Sequence, residues 1–339
     1  MNNTFYLKYR PQTLDELDIA PVRESLKKVI SSDQIPHAFL FAGPKGTGKT
    51  SAARILAKVI NCTSSNATKP CNNCEKCTSI ANGTNMDVVE MDAASSRGID
   101  DIRSLRDIVK LAPAKSKAKV YIIDEAHMLT TEASNAFLKT LEEPPEHAYF
   151  ILATTNPEKV IETIRSRATL IQFRKASKSE IVRSLTRIVK EEKLKVTDND
   201  LEIIITASSG SFRDAVKLLE RSSSEGSGFL LDEYKGVESL IDKIEKKDKK
   251  LILSDIEKYA STGISASYIT EQILHDLRLK LLGRQNTVMD RDELIHLIEL
   301  ILTSSEQVKY SPVDELPLEL AFCKWFTGID GSDSLEKSS

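Results

Sequence analysis

The sequence predicts an α/β fold, a parallel sheet with flanking helices followed by all-helical segments, on three observations. From Ile35 to Phe173, short β-rich runs alternate with helical patterns, as strands joined by helical crossovers do. A glycine-rich loop, Gly43 to Thr50, falls between the first of these runs and a helix. After Phe173 the β-rich runs stop.

The expected strands are His37–Ala42, Asp87–Met91, Val120–Asp124, Tyr149–Thr154 and Thr169–Phe173. Between the third and fourth, Glu132–Glu142 repeats Ala133, Phe137 and Leu141 every four residues, which puts one apolar stripe against the sheet. Pro144 and Pro145 end that helix. Helices are then expected at Ser177–Glu192, at Asp198–Ser208 with an Asp cap, and at Phe212–Arg221. A Gly/Ser-rich stretch from Ser222 to Gly228 marks the next boundary. Residues 231–328 read as further helices, and the tail from Asp330 to Ser339 reads as disordered.

With 339 residues, 29% of them charged and 40% hydrophobic, the chain is long enough for two or three domains. A formal charge of −3 excludes a uniformly basic nucleic-acid coat. That average hides an asymmetry: residues 1–230 carry 33 basic and 29 acidic side chains, and residues 231–330 carry 13 and 19. The front can therefore tolerate a polyanion that the back would repel. The longest apolar run is the six residues Ala148 to Ala153, against the roughly 18 or more that span a bilayer. The start, with a charge and a proline inside eleven residues, does not read as a signal peptide, so no membrane partner and a cytoplasmic location are expected.

Gly43-Pro44-Lys45-Gly46-Thr47-Gly48-Lys49-Thr50 fits the phosphate-loop pattern, with Ser51 following on the helix. Glycines let successive amides face one point, and the helix N-terminus adds its partial positive charge there. Lys49 is expected to reach the β- and γ-phosphates of ATP, and the Thr50 hydroxyl to bind Mg²⁺. The apolar strand Val120–Ile123 runs into Asp124 and Glu125, one carboxylate for the metal and one to polarise an attacking water. Asp124-Glu125-Ala126-His127 also spells a helicase motif, but the mostly helical chain after Phe173 does not read as the second nucleotide-fold domain a helicase needs. His127 reads as a local hydrogen-bonding residue. Thr155 or Asn156, at the end of the fourth strand, can sense the γ-phosphate. Ser166-Arg167 lies too far along the chain to serve its own phosphate loop, although it could enter a neighbour's site.

Four of the five cysteines, Cys62, Cys71, Cys74 and Cys77, lie close together. Four soft ligands at this spacing fit tetrahedral Zn²⁺. An iron–sulfur cluster usually has its fourth cysteine downstream of a C-x-x-C-x-x-C run, whereas here it is upstream, which favours structural zinc.

Taken together, these motifs resemble the gamma/tau subunits of bacterial DNA polymerase III clamp loaders, within the AAA+ ATPases. Further close matches are Tyr9-Arg10-Pro11-Gln12-Thr13, Glu90-Met91-Asp92-Ala93-Ala94-Ser95, Lys139 to Glu146, Ala153 to Pro157, and Gly210-Ser211-Phe212-Arg213-Asp214-Ala215. The resemblance implies that Tyr9 and Arg10 lie beside the adenine, that Arg167 acts in trans as an arginine finger, and that Arg213 reaches the nucleotide from a helical lid. It also implies an ATPase core over 1–173 with a zinc insertion at 62–77, a lid over 174–228 and a collar over 229–329. The implied partners are delta- and delta-prime-type subunits in a hetero-oligomeric ring, a sliding clamp and primed DNA. Ile19-Ala20 stands where the family usually has Gly-Gln, so adenine contacts are not carried over there. Ala168 replaces the cysteine usual after the finger, and residues 231–328 match by helical character only. A non-hydrolysing delta-prime-like scaffold and another AAA+ remodelling ATPase are the alternatives.

Overall fold

The computed structural model describes residues 4–32, 34–64, 70–96, 98, 102, 105, 107–225, 236, 239–261, 266–308, 311 and 313–335. The chain divides into two compact units, Met1–Glu225 and Gly226–Ser339.

The first unit is built on five parallel strands, β1 (Ala38–Ala42), β2 (Val88–Asp92), β3 (Lys119–Asp124), β4 (Ala148–Thr154) and β5 (Thr169–Gln172), in the order β2-β3-β4-β1-β5. Each lies within one residue of its expected bounds. Successive side chains point to opposite faces, so β1 sends Phe39 and Phe41 into one core and Ala38 and Leu40 into the other. The first core is closed by α2 (Ala20–Ile30) through Val22 and Leu26 and by α3 (Lys49–Asn61) through Ala52, Ile55, Leu56 and Val59. The second is closed by α5 (Thr131–Glu142) through Ala133, Phe137 and Leu141, the stripe read from the sequence. With helices on both faces, central strands have no solvated side, which is why Phe39, Phe41 and Phe150 are all fully buried. Truncating one of these rings to alanine would cost about 3–5 kcal/mol.

Other helices of this unit include α1 (Phe5–Lys8), α4 (Glu75–Ala81) after the cysteine run, α6 (Glu162–Arg165), and then α7 (Lys178–Glu192), α8 (Asp198–Ala207) and α9 (Phe212–Glu225). Ser177 and Glu180 form a reciprocal capping box that starts α7. The cap of α8 is Thr197 and not the expected Asp198. Its hydroxyl accepts the Asp200 N–H while the Asp200 carboxylate accepts the Thr197 N–H, satisfying two donors where an Asp198 cap would satisfy one. Residues 222–225, read as a boundary, are the last turn of α9, and the division between units follows directly after them.

The second unit is helical, with α10 (Lys249–Ser261), α11 (Ala266–Leu281), α12 (Arg291–Gln307) and α13 (Leu316–Leu335). Its core gathers Ile252, Ile256, Ile273, Leu297, Ile301, Phe322 and Trp325. The Phe322 and Trp325 rings meet edge-on at 6.2 Å. Helix α13 runs to Leu335, past the expected start of a disordered tail at Asp330, because an established helix gains one backbone hydrogen bond per added residue without needing apolar side chains. The end of that tail, 336–339, and most of the Gly/Ser boundary beyond Glu225 lie outside the described residues. Among the described residues no helix is long and apolar enough to cross a membrane.

Candidate functional site

Parallel strands bring their C-terminal ends to one edge of the sheet, and three of those ends form the site. β1 leads into the loop Gly43–Gly48, β3 ends at Asp124, and β4 ends at Thr154, whose carbonyl accepts the Gly43 N–H at 3.1 Å. The loop turns through left-handed backbone at Gly46, φ 76°, and Gly48, φ 96°, which only glycine adopts without strain. A side chain at Gly46 would also collide with Ser211, just before α9. The Gly46 carbonyl accepts the Phe212 N–H at 3.0 Å, so loop and α9 are held together by backbone.

Lys49, nearly buried, folds back onto the loop, its ammonium donating to the Gly43 carbonyl at 2.8 Å and the Pro44 carbonyl at 2.9 Å. Burial pulls its pKa down, Glu125 and Asp124 pull it back up, and Arg213 lowers it again. Burial, with Arg54 adding to it, likewise lowers Arg10. Four cationic groups, Lys45, Lys49, Arg10 and Arg213, thus line one concavity, a setting that favours a polyanion. Thr47, Thr50 and Ser51 line it too. Its other wall is apolar and aromatic, from Tyr6, Tyr9, Ile19, Val22, Phe212 and Val216. Phosphates at the cationic end and a planar base against the apolar wall would match both halves.

The Thr50 hydroxyl donates to Asp124 Oδ2 at 2.8 Å, which places two oxygen donors of the kind Mg²⁺ takes side by side. Glu125 sits in left-handed backbone, φ 48° and ψ 44°, uncommon for a residue with a side chain. Its Oε2 accepts the Thr155 hydroxyl at 2.9 Å and the Thr155 N–H at 3.2 Å, with His127 Nδ1 3.4 Å away. His127 Nδ1 also lies 3.0 Å from the Thr154 hydroxyl, so this histidine is engaged locally. Thr155 therefore touches the site through Glu125 and does not line the pocket itself.

Arg167 stands apart. Its guanidinium donates to Glu142 Oε1 at 2.7 Å and to the Thr163 carbonyl at 2.9 Å, and 36% of its side chain is exposed. Sequence reasoning missed Tyr6, Val22 and Val216 as pocket residues, and set Ile19 aside although it forms part of the apolar wall. Asp18 was also missed; it lines the pocket and pairs with Arg187 at 2.5 Å. Tyr9 is fixed by its hydroxyl to Glu192 Oε1 at 2.8 Å, at the far end of α7.

The four cysteines converge. Their sulfurs all lie within 4.8 Å of one another, and Cys71 and Cys77 are 4.0 Å apart, where a tetrahedral centre with 2.3 Å bonds spaces its sulfurs by about 3.8 Å. Backbone N–H groups point at all four sulfurs: Cys71 N at Cys62, Cys74 N at Cys71 and Cys77 N at Cys74, at 3.4–3.5 Å, and Asn72 N at Cys77. Amides aimed at sulfur stabilise thiolate over thiol. The donor set fits a closed four-sulfur Zn²⁺ centre, with no position left for catalysis.

A family model described as DNA polymerase III, delta subunit, matches residues 20–177. The tau subunit of Bacillus subtilis DNA polymerase III is 47% identical over 220 residues, 65% of this chain and 39% of that protein. The tau subunit of Escherichia coli is 37% identical over 279 residues, 79% of this chain and 43% of that protein. The chain thus spans less than half the length of these relatives. Among solved structures, the Thermotoga maritima RuvB Holliday junction branch migration motor superposes with a TM-score of 0.50 at 18% identity, covering 70% of this chain and 79% of that one, a likeness of AAA+ fold. By its sequence relatives, the chain belongs to the family of bacterial DNA polymerase III gamma/tau subunits.

Proposed function

We propose that this chain is an ATP-hydrolysing motor subunit of a DNA polymerase III clamp loader, working in a ring with delta- and delta-prime-type subunits to open a sliding clamp and load it onto primed DNA. The observation that carries the reading is the junction of a complete phosphate loop with the Thr50–Asp124 pair and Glu125 on one sheet edge.

In this reading the amides of Gly43–Thr50 cradle the phosphates and Lys49 exchanges its two loop carbonyls for phosphate oxygens. Tyr9, Arg10 and Ile19 hold the base side, and Arg213 reaches over from α9. Thr50 and Asp124 would hold Mg²⁺, which would supply neutralisation of phosphate charge. Glu125 accepts the proton of the attacking water, and Thr155 senses the γ-phosphate. Arg167, remote from its own pocket, would complete the site of a neighbouring subunit. Cys62, Cys71, Cys74 and Cys77 would hold structural Zn²⁺ that pins the segment between α3 and β2.

The test is steady-state ATPase of the reconstituted complex, with and without clamp and primed DNA. Stimulation by both is expected. Absence of stimulation, or a Lys49→Ala complex that loads clamps at the wild-type rate, would refute the motor reading. A non-hydrolysing scaffold is the second reading, favoured by the delta-subunit description of the matching family model. Such a scaffold has no use for Lys49 and Glu125 together, and ATP turnover by the complex that depends on Lys49 of this chain decides between the two.

A further inference from the structure

The phosphate-loop helix carries a second charged group that the nucleotide site does not use. Lys58, nine residues after Lys49 on α3, is 1% exposed. Its ammonium donates to the Gln12 carbonyl at 2.7 Å, to Gln12 Oε1 at 2.8 Å and to Asn72 Oδ1 at 2.8 Å. A buried ammonium persists only when its N–H groups find acceptors, and here three donors meet three acceptors.

Those acceptors belong to two different places. Gln12 ends the segment that walls the nucleotide pocket: its side-chain amide donates to the Arg10 carbonyl at 3.0 Å, and Arg10 and Pro11 both line the pocket. Asn72 lies between Cys71 and Cys74 in left-handed backbone, φ 57°, and its own N–H hydrogen-bonds the Cys77 sulfur. At the other end of the same helix, Cys62 is the C-cap of α3 and Lys49 opens it.

We propose that Lys58 is a positioning residue that ties the four-cysteine centre, through Gln12, to the Tyr9–Pro11 wall of the nucleotide pocket, so that metal occupancy and nucleotide affinity are coupled. The inference rests on the nucleotide and zinc readings above. A filled centre fixes the Cys71–Cys77 turn and with it the Asn72 side chain. Asn72 then holds the Lys58 ammonium where Gln12 can use it, and Gln12 holds Arg10 at the pocket. Emptying the centre frees Asn72, leaves Lys58 with one acceptor fewer and loosens the wall. Linkage makes the effect reciprocal, so nucleotide should tighten metal by the same factor.

The experiment uses the full chain and a fluorescent ATP analogue, with zinc bound and after chelation, for wild type and Lys58→Met. Zinc affinity is measured in parallel by competition with a chromophoric chelator, with and without ATP. Chelation should weaken analogue binding to wild type by about fivefold or more, and zinc-loaded Lys58→Met should bind as weakly as metal-free wild type. Further chelation of that variant should then change little. Asn72→Gly keeps the left-handed backbone and removes the acceptor, so it should also uncouple the sites, while Asn72→Asp, which keeps an acceptor, should remain coupled. Wild type that binds both ligands tightly but independently would overturn this proposal alone. Zinc-loaded wild type that fails to bind the analogue would overturn the nucleotide reading, and chain purified without zinc and unable to take it up would overturn the metal reading; the coupling falls with either.

Discussion

Glu125 and Thr155, thirty residues apart, are locked together: one carboxylate oxygen receives both the hydroxyl and the backbone N–H of the threonine, at 2.9 and 3.2 Å. Glu125 is held in left-handed backbone at the same time, a conformation that costs on the order of 1–3 kcal/mol and must be offset by such contacts. In the proposed mechanism the group that polarises water is thus restrained by the group that senses phosphate. A phosphate oxygen that attracts the Thr155 hydroxyl would release Glu125 in the same movement.

Thr155→Val removes the hydroxyl and keeps the backbone contact. It should raise the unstimulated ATPase rate and lower the rate with clamp and primed DNA, shrinking their ratio by about tenfold, the size expected for one hydrogen bond to a charged group. Nucleotide affinity should hardly change. An unaltered ratio would reduce Thr155 to a structural partner of Glu125.

Arg167 has partners at home, Glu142 and the Thr163 carbonyl, and none at its own phosphate loop. If it acts in a neighbouring site, Arg167→Ala should spare analogue binding by the isolated chain and reduce hydrolysis by the assembled complex by about 10³-fold or more. Lost binding in the isolated chain would instead place the arginine in cis.

The fold was readable where chemistry is local. Strand β1 and the Val120–Ile123 centre of β3 are unbroken apolar runs, and the phosphate loop is contiguous, so their bounds and the loop's position came within a residue. The α8 cap was misread because Thr197 and Asp198 can both cap, and the reciprocal bond to Asp200 that decides between them involves a shorter carboxylate than the usual glutamate. What could not be read were pairings fixed only by the sheet and helices coming together. Glu125 with Thr155, Asp18 with Arg187 and Lys58 with Gln12 are separated by 30, 169 and 46 residues. No spacing rule links them. The pocket wall at Ile19 was overlooked for a related reason, since a family pattern with Gly-Gln there gives no warning that an apolar side chain lines the same space.

The cysteine centre predicts one tightly bound zinc per chain. Cys74→Ser leaves three thiolates and should reduce bound metal to well below one per chain, with a lower thermal midpoint for the first unit. Iron in place of zinc, or a variant with unchanged metal content, would contradict a closed four-sulfur site.

Glu180 gives the first unit a defined acid sensitivity. Its side chain is 5% exposed, and burial alone would raise its pKa, but the Arg174 guanidinium and the Ser177 N–H and hydroxyl outweigh that and hold it down at about 2, from an ordinary 4.5. A folded pKa below the unfolded one stabilises above the unfolded value, and the contribution is lost as pH falls through the folded value. The window therefore runs from about 4.5 down to about 2. The shift corresponds to about 3 kcal/mol, which is reduced because Arg174 is half exposed and screened. Glu180→Gln should then destabilise the chain at pH 7 by about 2 kcal/mol, through a weakened start of α7. Denaturant unfolding at several pH values checks this: the gap between wild type and variant should be constant from pH 7 to 5 and narrow below pH 4.5. A gap that stays unchanged down to pH 3 would show that the carboxylate charge does not carry the cap.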